Sequence, residues 1–456
     1  MTEQVDVVVI GLGVGGEEVA GKLAEAGLSV VGVEAGLVGG ECPYWGCVPT
    51  KMMIRASGII GETRRAAAIA GEASIRPDWS LVSQRIRAEA TDSWNDKVAV
   101  DRFEGKGGRF VRGRARITGR GQVAIEDQVF SARGGIVVAT GTVPAVPPIS
   151  GLAGTPYWTN REAVATEQPP QSLVVLGGGA IGLELAQVFA RFGTEVTVVE
   201  AASHLLPAEE PEAGETVRTV LADEGVAIHV GATAIGVSHD AAGFAVTLDD
   251  GTTLIAARLL VATGRRPELH GLGLEEYGVD ADAPALDVDE RLRAAEGLWA
   301  IGDVTGHGAF THVAMYQAGI AVRDILGQDG PAASYHAVPR VTFTDPEVGS
   351  VGLTEAQARD AGLTVRVGSS QTSSSARGWI HKSGNEGLVK LIEDAGRGVL
   401  VGATAVGPHG GEVLGALAVA VHARVPVREL RQMIYAYPTF HRGIEDALRD
   451  LRGPEV

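Results

Sequence analysis

The chain has 456 residues, 45% apolar and 21% charged, and carries a formal net charge of -17. That length exceeds one hydrophobic core and predicts two to four domains. The acidic balance argues against nucleic acid or an anionic membrane surface as partner, and no apolar run reaches the length of a membrane span. With no basic segment followed by a short apolar one at the N-terminus, the expected location is cytoplasmic.

Val5–Ile10 is a continuous apolar run of buried-strand character, followed by the loop Gly11-Leu12-Gly13-Val14-Gly15-Gly16. A helix is predicted over Glu17–Ala26, then a second strand over Ser29–Val33 that ends on Glu34. The same pattern returns later. Leu173–Leu176 is the strand, Gly177-Gly178-Gly179-Ala180-Ile181-Gly182 the loop, Leu183–Phe192 the helix, and Glu195–Val199 a strand ending on Glu200. In both units the acid lies 23 positions after the first glycine. Strand, glycine loop, helix and acid at this spacing define a dinucleotide-binding βαβ unit. Gly11 and Gly177 make the tight turns. Gly13 and Gly179 let backbone N–H groups approach pyrophosphate, and Gly16 and Gly182 complete each loop, whose helix N-terminus favours the negative charge. Glu34 and Glu200 are placed to accept from ribose hydroxyls. Two chance βα turns are the competing reading, and the matched context disfavours them.

Between the two repeats lies the run Gly40-Glu41-Cys42-Pro43-Tyr44-Trp45-Gly46-Cys47-Val48-Pro49-Thr50-Lys51, which holds both cysteines of the chain. In a cytoplasmic protein a cysteine pair is more often catalytic or metal-binding than structural. Two thiols with no nearby His do not complete a four-ligand zinc site, so no metal is assigned. A helix is expected to begin near Pro49, a favourable first-turn residue. Cys47 then lies just before it, where the helix dipole and Lys51, four residues on, favour the thiolate.

Two dinucleotide sites and a cysteine pair point to FAD and a nicotinamide cofactor. Gly135–Gly141 and Leu259–Arg265 are further strand-to-loop exits, and Gly297–Asp303 ends in Gly-Asp, where an acid can accept from a ribityl hydroxyl. NADH is expected over NADPH. Glu200 would repel a 2′-phosphate, and Ala201-Ala202-Ser203 offers no arginine for one. His204 is the only nearby candidate cation and reads as an exposed loop residue.

In these motifs the chain resembles the pyridine nucleotide-disulfide oxidoreductases, the family of dihydrolipoamide dehydrogenase, glutathione reductase and mercuric reductase, over essentially its whole length. The resemblance implies an α/β protein with two Rossmann-like dinucleotide-binding domains and a C-terminal α+β interface domain. It implies an FAD domain over residues 1–148 and 275–335, an NAD(P) domain over 149–274, and a dimerisation domain over 336–456, opened by Pro339–Gly349, that makes a homodimer. It further implies that Cys47 is the thiol nearer the flavin and Cys42 the interchange thiol. Lys51 is then the lysine beside flavin N5 and Glu184 its ion-pair partner. Asp303, Glu34, Ala115, Thr140 and Gly141 join the FAD site, and Ala234 and Gly264 the NAD site.

The chain also departs from the family. Most disulfide reductases of this family carry His-Pro-Thr-x-x-Glu near the C-terminus, where this chain has Ala436-Tyr437-Pro438-Thr439-Phe440-His441-Arg442. Tyr437 stands in the His position and Arg442 in the Glu position. A tyrosine of ordinary pKa near 10 is a poor base at neutral pH, yet it can donate a hydrogen bond to a developing anion. His441 lies one turn along if the segment is helical, and is the weaker candidate for the base. Arg442 removes a capping-box acid and could favour a thiolate or bind an anionic substrate. Tyr44 and Trp45 are bulky for the loop between the thiols; they would stack on a planar substrate or, as the safer reading, pack against their own domain. No cysteine follows Cys47, so the C-terminal pair of the mercuric reductases is absent and mercuric reduction is disfavoured.

Three functions follow. The first is an NADH-dependent flavoprotein that reduces a small disulfide or oxidises a dithiol through Cys42–Cys47, in the manner of dihydrolipoamide dehydrogenase. The second is a reductase of quinones or related electrophiles, motivated by Tyr437. The third is a redox-sensing subunit that keeps FAD and a switchable disulfide.

Overall fold

The computed structural model describes residues Thr2–Leu451. The chain divides into two compact units. One comprises residues 1–49, 84–145 and 265–335, the other residues 50–83, 146–264 and 336–456. The helix Cys47–Arg65 runs across the boundary between them in sequence.

In the first unit a parallel sheet runs in the order Leu298–Ala300, Gln128–Val138, Thr2–Ile10, Val30–Glu34, Arg109–Arg112. The N-terminal strand is flanked on both sides, with Val8 opposite Val31 on one neighbour and Ile136 on the other. Its side chains alternate between two cores. Val8 and Ile10 pack with Val31, Ile136 and Phe130, and Val7 and Val9 pack with Val19, Leu23, Phe103 and Ala318. This is why Val5–Ile10 is apolar throughout, since a parallel strand covered on both faces has no solvent side. Arg293–Ala295 pairs antiparallel at one edge, and Ala115–Gly119 and Gln122–Ile125 form an antiparallel extension on the strand Gln128–Val138.

The second unit repeats the design. A parallel sheet runs Ala227–Val230, Glu195–Glu200, Ser172–Leu176, Arg258–Val261. A three-stranded antiparallel sheet follows from Ala234–Asp240, Gly243–Leu248 and Thr253–Ala256. Beyond residue 338 the strands Pro339–Thr342, Glu347–Gly352, Val399–Gly407, Leu388–Asp394 and Val365–Gln371 form an antiparallel sheet. Helices Gly410–His422 and Gly443–Asp450 supply its apolar cover through Leu414, Leu417, Ile444, Ala447 and Leu448. Among the described residues no helix is long and apolar enough to cross a membrane.

Candidate functional site

The two glycine loops have the same construction. Gly11 sits at φ +92°, and a Cβ there would lie 2.4 Å from the carbonyl oxygen of Ala139. Gly177 sits at φ +109°, with the same 2.4 Å separation from that of Ala262. No other residue type fits either turn. A Cβ on Gly13 or Gly179, the N-caps of helices Val14–Glu25 and Ala180–Arg191, would meet nothing within 4 Å. Each loop is fastened by its acid. Glu34 accepts from the N–H groups of Leu12 (2.8 Å) and Gly36 (2.6 Å). Glu200 accepts from those of Gly178 (2.6 Å) and Ala202 (2.7 Å). Both helices start about three residues earlier than the sequence pattern marks, because their first turns lie inside the glycine loops.

In the first unit the cysteine run leaves directly from the glycine loop. The Gly39 N–H donates to Leu12 O (2.7 Å), Gly39 bridges Gly13, and a Cβ on Gly40 would meet Gly13 Cα at 2.8 Å. Cys42 is half-buried in the short helix Glu41–Tyr44. Cys47 is exposed and is the first residue of the helix Cys47–Arg65, two positions earlier than expected from Pro49. The sulfur therefore sits in the first helical turn, where the dipole favours negative charge. Thr311, first residue of the helix Thr311–Ile325, places Oγ1 3.6 Å from Cys47 Sγ. Nothing local in the sequence pairs these residues, which are 264 positions apart.

Thr140, Gly141 and Asp303 gather where the strands Gln128–Val138 and Leu298–Ala300 end. Thr140 Oγ1 is buried without a hydrogen-bond partner among the described residues. Asp303 accepts from Thr142 Oγ1 (2.9 Å), and Arg265 donates to Thr142 Oγ1 (2.9 Å) and O (2.6 Å). Arg265 also lies 3.8 Å from Glu41, beside Cys42. Burial pushes the Asp303 carboxyl above its ordinary range, against the opposing pull of Thr142 and Arg265. Thr142 and Arg265 were adjacent in sequence to predicted residues, but only the tertiary structure shows that they link Asp303 to the cysteine run. Ala115 is buried as the first residue of the antiparallel extension, paired with Ile125.

In the second unit Lys51 Nζ donates to Glu184 Oε2 at 2.7 Å, and the Phe343 N–H donates to Glu184 Oε1 at 2.9 Å. Glu184 is buried on the helix that opens with the second glycine loop, and the Lys51 ammonium stands 4.5 Å over the Phe343 ring. Gly264 turns at φ +116° with open space before it, and Ala234 is a buried strand residue opposite Leu248. His204 is half-buried, its Nδ1 2.8 Å from its neighbour's carbonyl oxygen at Leu205, instead of an exposed loop residue. The neighbouring backbone holds the imidazole there.

The expectation for His441 needs correction. Residues 437–442 are not helical; the helix begins at Gly443. The argument that His441 follows Tyr437 by one helical turn therefore fails, because Pro438 lacks an N–H and constrains Tyr437 to extended conformations. Tyr437 is 69% exposed, and the Arg442 guanidinium sits 5.4 Å over its ring while pairing with Glu445 at 3.1 Å. His441 lies instead against Tyr435. Tyr44 is only 6% exposed and cannot stack on a substrate, and Trp45 stacks on Trp94. The packing reading holds for both aromatics.

A sequence profile of the pyridine nucleotide-disulphide oxidoreductases matches residues 5–318, and the profile of their dimerisation domain matches 338–448. The chain belongs to this family. It is a flavin-dependent disulfide oxidoreductase of α/β fold, from a family that depends on FAD and NAD(P). A dihydrolipoyl dehydrogenase of Thermus scotoductus is 34% identical over 98% of this chain and 97% of its own. A mercuric reductase of Streptomyces lividans is also 34% identical, over 96% and 94%. Among solved structures, the HOCl-induced flavoprotein disulfide reductase RclA of Escherichia coli, as its Cu(II) complex, superposes with TM-score 0.85 at 28% identity, over 98% of this chain and 99% of that one. LpdA of Mycobacterium tuberculosis gives the same score, identity and coverage.

Proposed function

We propose that this oxidoreductase takes electrons from NADH and passes them to the Cys42–Cys47 pair, whose interchange thiol Cys42 serves a small disulfide or dithiol. The observation that carries this reading is the first unit's continuous path. The glycine loop, the cysteine run and the Thr140–Asp303 corner meet through Gly13–Gly39 and through Arg265. The residues fit FAD. An open second glycine admits pyrophosphate, Thr140 Oγ1 offers an uncommitted polar atom, and Asp303 is a half-buried acceptor. Bound there, FAD would supply two-electron transfer between a nicotinamide and a disulfide.

The remaining roles belong to side chains. Cys47 holds negative charge at the helix N-terminus beside the Thr311 hydroxyl. Lys51 would be the flavin's cation, as the family resemblance implies, and Glu184 fixes its ammonium. Glu34 and Glu200, already held by backbone donors, keep free lone pairs for ribose hydroxyls. The Glu200 carboxylate would repel a 2′-phosphate, which supports NADH. The dimerisation domain supports a homodimer in which residues 437–442 serve the partner's thiols. The domain limits 1–148 with 275–335, 149–274 and 336–456 belong to the same proposal.

Tyr437 favours a second reading. Its exposed hydroxyl, under a guanidinium held by Glu445, suits hydrogen bonding to a quinone or related electrophile better than proton abstraction from a dithiol. A steady-state panel with NADH and NADPH against lipoamide, small disulfides and quinones decides between them. Disulfide turnover that collapses in Cys42→Ser supports the first reading. Full activity of Cys42→Ser on the best acceptor refutes it, and manyfold faster disulfide reduction by Tyr437→His supports the second.

A further inference from the structure

Residues Asp92, Ser93 and Trp94 stand in succession at φ 46°, 56° and 58°. Left-handed backbone is uncommon for any residue with a Cβ and an outlier for one as bulky as tryptophan. The turn follows a π-helical segment, Ile86–Ala90, and is tied back by Ser93 N–H to Arg87 O (2.7 Å) and Asn95 N–H to Thr91 O (3.1 Å). Strain of this kind persists only where surrounding structure enforces it, and it concentrates at functional positions. Two side chains leave this turn toward the cysteine run. Trp94 stacks on Trp45, which lies between Cys42 and Cys47, with centroids 5.3 Å apart and planes 22° from parallel. Asp96 accepts from the Val38 N–H (2.8 Å), just before the run begins. Trp94 Nε1 is buried without a hydrogen-bond partner among the described residues, so ring stacking and not a polar contact holds the indole.

We propose that Trp94 is a positioning residue for the cysteine pair, fixing the loop that carries Cys42 and Cys47 through its stack on Trp45. The inference rests on the reading of those cysteines as a redox pair. Both sulfurs are free thiols in this structure, and a segment held at Val38 and again at Trp45 would limit how far they move apart, which favours the disulfide over the dithiol. Releasing the stack shifts the balance toward the dithiol and makes the pair more oxidising.

The test equilibrates the FAD-loaded protein with reduced and oxidised dithiothreitol, then quenches in acid, alkylates and counts free thiols by mass. One S–S bond breaks in the protein and one forms in dithiothreitol, with two hydrogens passing from reagent to protein. Trp94→Leu keeps apolar bulk without the ring, and is expected to shift the equilibrium tenfold toward the dithiol, about 30 mV. Trp94→Phe keeps a stacking ring and should stay within twofold of wild type. Should Trp94→Leu fail to retain FAD, Trp45→Leu breaks the same stack from the other side and is expected to give the same shift. An equilibrium within twofold of wild type in the stack-breaking variant that retains FAD overturns the inference, as does a Trp94→Phe shift equal to it. A wild-type protein that shows no two-thiol titration overturns the redox-pair reading as well.

Discussion

Glu184→Gln is the sharpest test of the role proposed for Lys51 and Glu184. The glutamate side chain is 7% exposed and satisfies two donors, Lys51 Nζ at 2.7 Å and the Phe343 N–H at 2.9 Å. An amide of the same shape has one acceptor oxygen, so either the ammonium or the backbone N–H must face an NH2 group. Losing a charge-assisted bond from a buried acceptor costs about 1.5–3 kcal/mol. Lys51 is 36% exposed and recovers part of that through water, which brings the expected cost to about 1–2 kcal/mol. In a protein of this size that lowers Tm by roughly 1–2 °C. If the pair acts as one unit on the flavin, the same energy appears as a 5–30-fold loss in the rate of NADH reduction, since about 1.4 kcal/mol is tenfold. Stopped-flow reduction of Lys51→Met, Glu184→Gln and the double variant forms a cycle. Each should lose a similar amount, with the double no worse than Lys51→Met alone. Multiplicative losses, or a Glu184→Gln enzyme with unchanged Tm and reduction rate, would refute the argument.

The remaining predictions concern acid stability, nucleotide choice and the thiols. Burial pushes the Asp345 carboxyl up, but Arg191 and Arg65 outweigh it and hold it below its ordinary 3.8. Its contribution is therefore present above that value and lost as pH falls through the lowered one. Asp345→Asn should cost about 2 kcal/mol at neutral pH, less than removal of a sole partner because Arg191 keeps Glu224. Denaturation curves of variant and wild type should converge below pH 3.8, and a gap independent of pH would contradict the ion-pair account. Glu200→Ala removes the charge opposing a 2′-phosphate and should narrow the NADH to NADPH ratio of kcat/KM by about tenfold or more; an unchanged ratio places nucleotide selection elsewhere. Anaerobic two-electron reduction should give a long-wavelength absorption band that Cys47→Ser abolishes and Cys42→Ser keeps. Survival of the band in Cys47→Ser removes the role given to that sulfur.

The local chemistry of this chain was legible in sequence because it is built from short, repeated segments. A glycine loop with a strand before it, a helix after it and an acid at a fixed distance is self-contained, and both copies fold with their acids on the backbone donors of their own loops. The spacing of Cys42, Cys47 and Lys51 is likewise a local fact. The sequence even paired Lys51 with Glu184 through family resemblance, although no local pattern links them. Contacts between distant segments were another matter. Thr311 at Cys47, Arg265 between Glu41 and Asp303, and Phe343 on Glu184 depend on which strand ends and helix starts converge. The Tyr437 segment shows the limit most plainly. Its departure from the family motif is readable, but its non-helical path and its exposed ring under Arg442 are not. Periodicity reports only how a segment folds against its neighbours in sequence. Trp94 belongs to the same class, because three consecutive left-handed residues contradict local preference and exist only where tertiary packing enforces them. The nucleotide loops and the thiols were thus determined by the sequence itself, and the surroundings that tune them were decided by the fold.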